Sequence, residues 1–135
     1  MRHPDEKVRL KIAELGIQAA LNNKIGYDQN QRNSYWTQLK ANKYDPSKIT
    51  KTCEADCSAG VIANTKAVGH LLNINALKNL DATYTGDMRS GFKKAGFKIL
   101  TDKKYLNGYD YLLPGDILLY ENHHTATNIT KGKKA

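Results

Sequence analysis

Hydrophobic positions near the start of the chain recur every three or four residues, as they do on one face of a helix. The helix is predicted to begin at Pro4-Asp5-Glu6, because proline is tolerated in a first turn and acidic residues are favoured there. It is predicted to continue to Asn22-Asn23. Its buried stripe is Val8, Ile12, Leu15 and Ala19.

The next segment, from Gly26 to Asn33, is polar and rich in turn-forming residues. A loop of this composition is either a plain connector or a carrier of functional residues. A short helix with Ser34 as its cap is then predicted, and it should stop before Asp45-Pro46, because the residue ahead of a proline disfavours helix. Its apolar residues are Tyr35, Trp36 and Leu39.

A third helix is predicted to begin at Cys57. Asp56 before it is a good N-cap residue, since its carboxylate can accept a hydrogen bond from the free N–H groups of the first turn. Apolar residues follow at helical spacing and predict one buried face: Cys57, Val61, Val68, Leu71 and Leu72.

The segment from Asn73 to Asp81 shows no clear period and is predicted as a loop with one helical turn. Thr85-Gly86-Asp87 resembles a cap for a further helix, which Gly96 should end. That helix would carry Met88, Phe92 and Ala95. Strand character is predicted for Phe97–Leu100.

The last third of the chain predicts two paired strands. A Pro114-Gly115 turn leads into an apolar strand that ends at Tyr120, and a second strand is predicted over residues 124–129. Helices first and strands last argue for an α+β fold, with helices packed on a small antiparallel sheet. This order does not suit a Rossmann-type fold, and no glycine-rich phosphate loop is present, which disfavours hydride transfer and nucleotide hydrolysis.

A length of 135 residues suits one domain. No apolar run approaches a membrane span, and the charged N-terminus does not resemble a signal peptide, so we expect synthesis in the cytoplasm without Sec export. In that reducing compartment Cys53 and Cys57 are expected to be free thiols. A metal site on them is disfavoured, because no other Cys or His lies close in sequence. No metal or cofactor is therefore predicted.

The formal net charge of +8 indicates an anionic partner. The acidic polymers of a bacterial wall are one candidate and nucleic acid is another, while a solvated lysine-rich face with no partner is the third interpretation. The basic cluster lies among aromatic residues and comprises Lys93, Lys94, Lys98, Lys103 and Lys104.

Candidate chemistry centres on Cys57, because the positive end of the helix macrodipole favours thiolate over thiol. Glu54 and Asp56 act in the opposite direction, so a positive partner is needed, most naturally a histidinium. The alternative is that Cys57 is only a small buried residue. His70 follows too far along the helix, about 20 Å from Cys57 at the standard rise. His124, on the predicted last strand, is the better partner.

Several motifs together resemble the CHAP and NlpC-type cell-wall hydrolases. They are Asp56-Cys57-Ser58-Ala59, then Leu113-Pro114-Gly115-Asp116-Ile117, then His124-Thr125-Ala126-Thr127, in that order. Gly26-Tyr27-Asp28-Gln29 with Arg32-Asn33 further resembles the loop ahead of the cysteine in phage-encoded members, including endolysins.

The resemblance implies a papain-like α+β fold and a single catalytic domain over residues 1–135, in which 130–135 has the composition of a linker start. It implies Cys57 as nucleophile, His124 as general base, and peptidoglycan cut at an amide in or next to the stem peptide. An endopeptidase and an N-acetylmuramoyl-L-alanine amidase both fit. Tyr27 is a candidate near the oxyanion, and Cys53 is expected to be structural.

The residue that would orient His124 stays open between Asp28, Gln29, a backbone carbonyl and a segment outside this chain. Asn128 shares a strand face with His124 but lies about 13 Å along the strand, beyond hydrogen-bond reach of the ring.

Overall fold

The structure is a computed structural model that describes all residues from Met1 to Ala135. Its helices are α1 (Glu6–Leu21), α2 (Ser34–Ala41), α3 (Cys57–Leu72), α4 (Asn75–Lys78), α5 (Met88–Lys94) and α6 (Lys103–Leu106), with a 3₁₀ turn at Pro46–Lys48. Its strands are β1 (Ile25–Gly26), β2 (Cys53–Glu54), β3 (Ile117–Tyr120) and β4 (His124–Thr127). Both helices and sheet are present, which confirms the predicted α+β class.

Helix α1 begins and ends where the sequence predicts. Its N-cap Asp5 accepts a hydrogen bond from the Lys7 N–H at 2.9 Å. At the other end the Asn22 amide donates to the carbonyls of Pro46 and Ile49, which fixes the chain as it leaves the helix. The predicted stripe is buried at Val8, Ile12 and Leu15.

Helix α3 is the central element of the fold, because α1, α2, α4 and β4 all pack against it. Most of its residues from Ser58 to Gly69 are buried. Gly69 is required where α4 crosses, since a Cβ there would lie 2.5 Å from the backbone nitrogen of Lys78. The predicted buried face is correct at Val61 and Val68 but wrong at Leu71, which is 42% exposed.

The strands form two separate two-stranded sheets. Strands β3 and β4 are antiparallel, with Ile117 opposite Thr127 and Tyr120 opposite His124, so the predicted hairpin is confirmed. Gly115 ahead of it has φ of +89°, a conformation that glycine adopts without strain. Strands β1 and β2 pair in parallel, which the sequence did not predict.

Three other local predictions differ from the structure. Phe97–Leu100 is not a strand, since only Lys98 forms an isolated bridge, to Arg2. Residues 103–106 form a short helix where none was predicted. Ser34 is the first residue of α2 rather than its capping residue, and its hydroxyl accepts a hydrogen bond from the Glu54 N–H instead.

The N-terminal segment closes onto the C-terminal hairpin. The Arg2 guanidinium makes two bonds to the buried Asp116 carboxylate, at 2.8 and 2.7 Å. The backbone of Met1 exchanges hydrogen bonds with Ile117. These contacts tie the two ends of the described chain into one body.

Candidate active site

Cys57 is the first residue of α3 and is partly exposed, with a free thiol. Its predecessor Asp56 has extended backbone and caps the helix, accepting from the Ala59 N–H at 2.8 Å. The first-turn N–H groups of a helix have no acceptor within the helix. Cys57 therefore lies where backbone donors and the helix dipole favour negative charge.

Arg32 pairs with the carboxylate next to the thiol. Its guanidinium donates to Asp56 at 2.8 and 3.2 Å and to the Ser58 hydroxyl at 2.7 Å. Burial acts to raise the pKa of Asp56, but the Ala59 N–H and Arg32 outweigh it, and the pKa lies below its usual value. Of the two carboxylates expected to oppose a Cys57 thiolate, Asp56 is thus neutralised by an ion pair, whereas Glu54 has no such partner.

Arg32 is a site residue that the sequence did not single out for this role. It lies in the polar loop, 24 positions before Asp56. The available signal was that it is the sole arginine between Arg9 and Arg89. A guanidinium has the geometry to bind a carboxylate through two nitrogens.

The loop at Tyr27, Asp28 and Gln29 lies beside the segment that leads to Cys57. Parallel pairing of β1 with β2 places it there, and two backbone bonds extend that pairing: Ala55 N–H to Gly26 O at 3.1 Å and Asp28 N–H to Ala55 O at 3.4 Å. Gln29 donates to the Tyr27 hydroxyl at 3.4 Å. None of the three side chains contacts Cys57 or His124 through a hydrogen bond.

A pocket of about 430 Å³ adjoins Cys57. One wall is the C-terminal half of α1, another is the first two turns of α3, and the third is the end of β4 with the residues that follow it. Thr127 contributes to this third wall and lies close to Gly16 of α1. Cys57 is thus accessible to a ligand that enters between α1 and β4.

His124 lies elsewhere. It is exposed at the start of β4 and lines a different cavity of about 700 Å³, together with Tyr105, Tyr109 and Tyr120. Thr127, which does reach the Cys57 pocket, is about 10 Å further along the strand. The structure therefore places Cys57 and His124 on neighbouring, packed elements but does not bring their side chains together.

A profile of the family described as Endolysin-like domain matches residues 1–135. The chain belongs to this family. The description indicates a cell-wall lytic protein, and hence peptidoglycan as the substrate class. No curated protein and no solved structure matches the chain. The CHAP or NlpC type, the papain-like form of the fold and the thiol mechanism remain predictions.

The other histidines of this endolysin-like domain do not face the thiol. His70 stacks on Tyr44 with ring centroids 4.3 Å apart. His123, in the hairpin turn, lies 4.4 Å from the Tyr120 ring. His3 packs edge-on against Phe97, with ring centroids 5.2 Å apart.

Cys53 and Asn128 are also unsuited to a catalytic role, because one is buried and the other already makes hydrogen bonds. Cys53 is buried in the core, where burial and then the Glu54 carboxylate raise the pKa of its thiol, so it is poorly suited to be a nucleophile. The Asn128 amide donates to the carbonyls of Leu113 and Thr130, at 2.9 and 2.7 Å. Its hydrogen bonds hold the loop before β3, which agrees with the expectation that it does not orient His124.

The basic surface of the endolysin-like domain lies at α5 and α6. Its lysines are solvent-exposed, and Lys104 also lies 5.1 Å from the ring centroids of both Tyr105 and Tyr111. The backbone of Gly132 and Lys134 bonds to the segment before β3, at Leu112 and Asp110. No helix is long and apolar enough to cross a bilayer. The exposed lysines are Lys93, Lys94, Lys98, Lys103 and Lys104.

Proposed function

We propose that this endolysin-like domain is a thiol-dependent peptidoglycan hydrolase that cleaves an amide bond in or next to the stem peptide. Cys57 is the nucleophile and His124 the general base. The observation that carries the proposal is the position of the Cys57 thiol, at the N-terminus of α3 and open to a pocket. Arg32 supports it by removing the opposing charge of Asp56.

In this mechanism His124 takes the proton of Cys57, and the thiolate attacks the scissile carbonyl carbon. The carbonyl π electrons move to the oxygen, which accepts hydrogen bonds from first-turn N–H groups, including that of Cys57. The C–N bond then breaks as His124 returns the proton to the leaving amine. Water hydrolyses the thioester and restores the thiol.

The reaction requires His124 to approach Cys57 from the neighbouring cavity. Its imidazole makes no hydrogen bond and is exposed, and β4 already packs against α3. Catalytic hydrogen bonds commonly tighten only when substrate binds. We therefore assign the final approach to a movement of the turn end of the β3–β4 hairpin, which carries His124, toward the start of α3. Tyr27 then lies near the oxyanion, and Asp28 or Gln29 orients the imidazole.

The first test is digestion of purified peptidoglycan, read as newly formed amino groups. Cys57→Ala should reduce amine release to background, whereas Cys53→Ala, a change of the other free thiol, should keep activity in whatever protein remains folded. Iodoacetamide should inhibit the wild type and leave nothing further to inhibit in Cys57→Ala. Full digestion by folded Cys57→Ala would refute the proposal.

The same assay separates the two adjacent histidines. His124→Ala should lose at least about a hundredfold in rate, the usual contribution of general acid–base catalysis, while His123→Ala stays near the wild type. The reverse pattern would assign the base to His123. If both variants were as active as the wild type, neither His123 nor His124 would be the general base for Cys57.

The second candidate function is wall binding or nucleic-acid binding without catalysis, favoured by the exposed lysines and by the separation of His124 from Cys57. It predicts that the protein sediments with walls, or binds nucleic acid, in a salt-sensitive manner and releases no amines. Changes at Lys93, Lys94 and Lys98 should weaken that binding, and alkylation of the thiols should not.

A further inference from the structure

The pocket beside Cys57 is lined by uncharged residues. Of the ten, α1 supplies Gly16, Ile17, Ala20 and Leu21, and no Lys, Arg, Asp, Glu or His is among the others. Gly16 and Ala20 lie one helical turn apart, and their small side chains leave the space open. A ligand that enters therefore meets a mainly apolar wall without an ionic partner.

The polar side chains of this lining are those of Thr127 and Asn64, and Asn64 is the one with an amide group. It is only 7% exposed, and its Oδ1 accepts a hydrogen bond from the Tyr35 hydroxyl at 2.5 Å. Burial raises the pKa of Tyr35, so that hydroxyl stays protonated and remains a donor. The Asn64 Nδ2 group donates to no protein atom, and the residue lines the Cys57 pocket. Its two N–H bonds are therefore available to a ligand there.

We infer that this pocket binds the acyl side of the scissile peptide, as an uncharged segment with small aliphatic side chains whose carbonyl accepts a hydrogen bond from Asn64 Nδ2. The inference rests on the proposed role of Cys57 as nucleophile. Asn64 follows Cys57 by seven residues, about 10 Å of helix rise. At about 3.3 Å per residue of extended peptide, the accepting carbonyl lies about three residues from the attacked carbon.

The lining also defines what the pocket excludes. An ammonium or carboxylate moved from water into it would lose hydration without gaining an ion pair. A neutral amide carbonyl loses less and gains the Asn64 donor. The acyl segment is thus expected to be alanine-like and amide-linked, rather than lysine-like or ended by a free carboxylate.

The experiment measures binding in Cys57→Ala protein, by NMR titration that follows the Asn64 side-chain amide signals. The probes are acetyl-Ala-Ala-amide, the free acid acetyl-Ala-Ala and acetyl-Lys-Lys-amide. The first should shift the Asn64 signals at low millimolar concentration, with affinity at least about fivefold above that of the other two. Equal shifts from all three, or a response confined to other residues, would overturn the inference.

Two matched variants separate pocket binding from folding. Ala20→Phe fills the pocket from the exposed rim of α1 and should raise KM for peptidoglycan fragments about tenfold with little change in kcat. Ala76→Phe makes the same change at an exposed position of α4, away from the pocket, and should leave KM unaltered. An unchanged KM in Ala20→Phe contradicts the inference, even where Cys57→Ala is inactive and the proposed function holds. A different result is possible, in which Cys57→Ala still digests walls but binds the neutral probe selectively. The pocket would then bind peptide, but Cys57 would not be the nucleophile beside it, and the inference would be refuted.

Discussion

The Asp56 side chain has two structural roles: it caps α3 and it forms an ion pair with Arg32. Both contacts favour the ionised carboxylate over the neutral acid, so the pKa of Asp56 is lower in the folded protein than in the unfolded chain. A carboxylate of this kind adds stability above its unfolded pKa of about 3.9. That stability is lost as pH falls through the folded pKa.

Asp56→Asn tests this linkage, because asparagine still caps a helix but carries no charge. At pH 7 the variant should unfold with a free energy about 1 kcal/mol below that of the wild type, through loss of the charge-assisted bonds to Arg32. The difference should shrink as pH falls below about 4, where Asp56 takes up its proton first in the unfolded chain and then, at lower pH, in the folded protein. Urea denaturation at pH 7 and pH 3 measures it. A gap of the same size at both values would contradict the assignment.

Local sequence was sufficient for the part of the site that lies within one helical turn. Asp56 as cap and Cys57 as first helical residue follow from capping chemistry and hydrophobic spacing. The pairing of Arg32 with Asp56 did not follow, because it depends on the path of a loop held by the β1–β2 pair. Asn64 was also missed, since its role depends on which face of α3 the pocket occupies.

At the scale of elements, an aromatic stack joins the end of α3 to the turn after α2. The rings of His70 and Tyr44 are 5° from parallel. Burial lowers the pKa of His70 first, and the nearby Lys78 and Lys66 lower it further. The unfolded chain thus takes up a proton near pH 6.5 that the folded protein resists, so the fold loses stability as pH falls through that value.

His70→Phe should keep the stack and flatten the stability profile between pH 7.5 and 5. Some slope should remain from His3, whose pKa burial also lowers, and the double variant with His3→Phe should be flatter still. Chemical denaturation at several pH values in that window provides the measurement. An unchanged slope in the double variant would show that these imidazoles do not control the acid side of the profile.

Elements with strong local signals were predictable, and those formed by distant pairing were not. Helix α1 and the β3–β4 hairpin carry caps, turns and periodic apolar residues within their own sequence. Strands β1 and β2 are two residues each and pair across 28 positions, so no local pattern marks them. Phe97–Leu100 has residues typical of a strand, but it pairs with no neighbouring strand and makes only the isolated bridge between Lys98 and Arg2.

Across the molecule, the Arg2–Asp116 ion pair and the Met1–Ile117 hydrogen bonds join the beginning of the chain to the β3–β4 hairpin. The Asp116 side chain is 2% exposed, and it also accepts from the Leu113 N–H at 2.9 Å. Burial of this kind makes loss of one partner costly, because the other is left as an unpaired charge.

Asp116→Ala should therefore lower the free energy of unfolding by about 3–5 kcal/mol. Glu121→Ala is the matched control, because its partner Arg89 is 54% exposed in the side chain, and such surface pairs contribute about 0–1 kcal/mol. Thermal or urea unfolding of the two variants compares them directly. A similarly small decrease in the free energy of unfolding in both variants would mean that the Arg2–Asp116 ion pair contributes no more than a surface pair.

The separation of Cys57 from His124 depends on how the β3–β4 hairpin packs on the rest of the molecule. Motif order along the chain predicted that the two would meet, and β4 does pack on α3. Which face of the strand turns toward the helix depends on the twist and seating of the hairpin, and a shift of one residue exchanges the two faces. Sequence order could not determine this.

The Arg2–Asp116 contact has a consequence for the growing polypeptide. The two residues are 114 positions apart, so Arg2 leaves the ribosome long before its carboxylate partner has been synthesised. The early helices can pack together, but the Arg2–Asp116 ion pair cannot form until Asp116 has left the ribosome. Closure of this domain thus waits for synthesis of Asp116, and products truncated before that residue should be open to proteases.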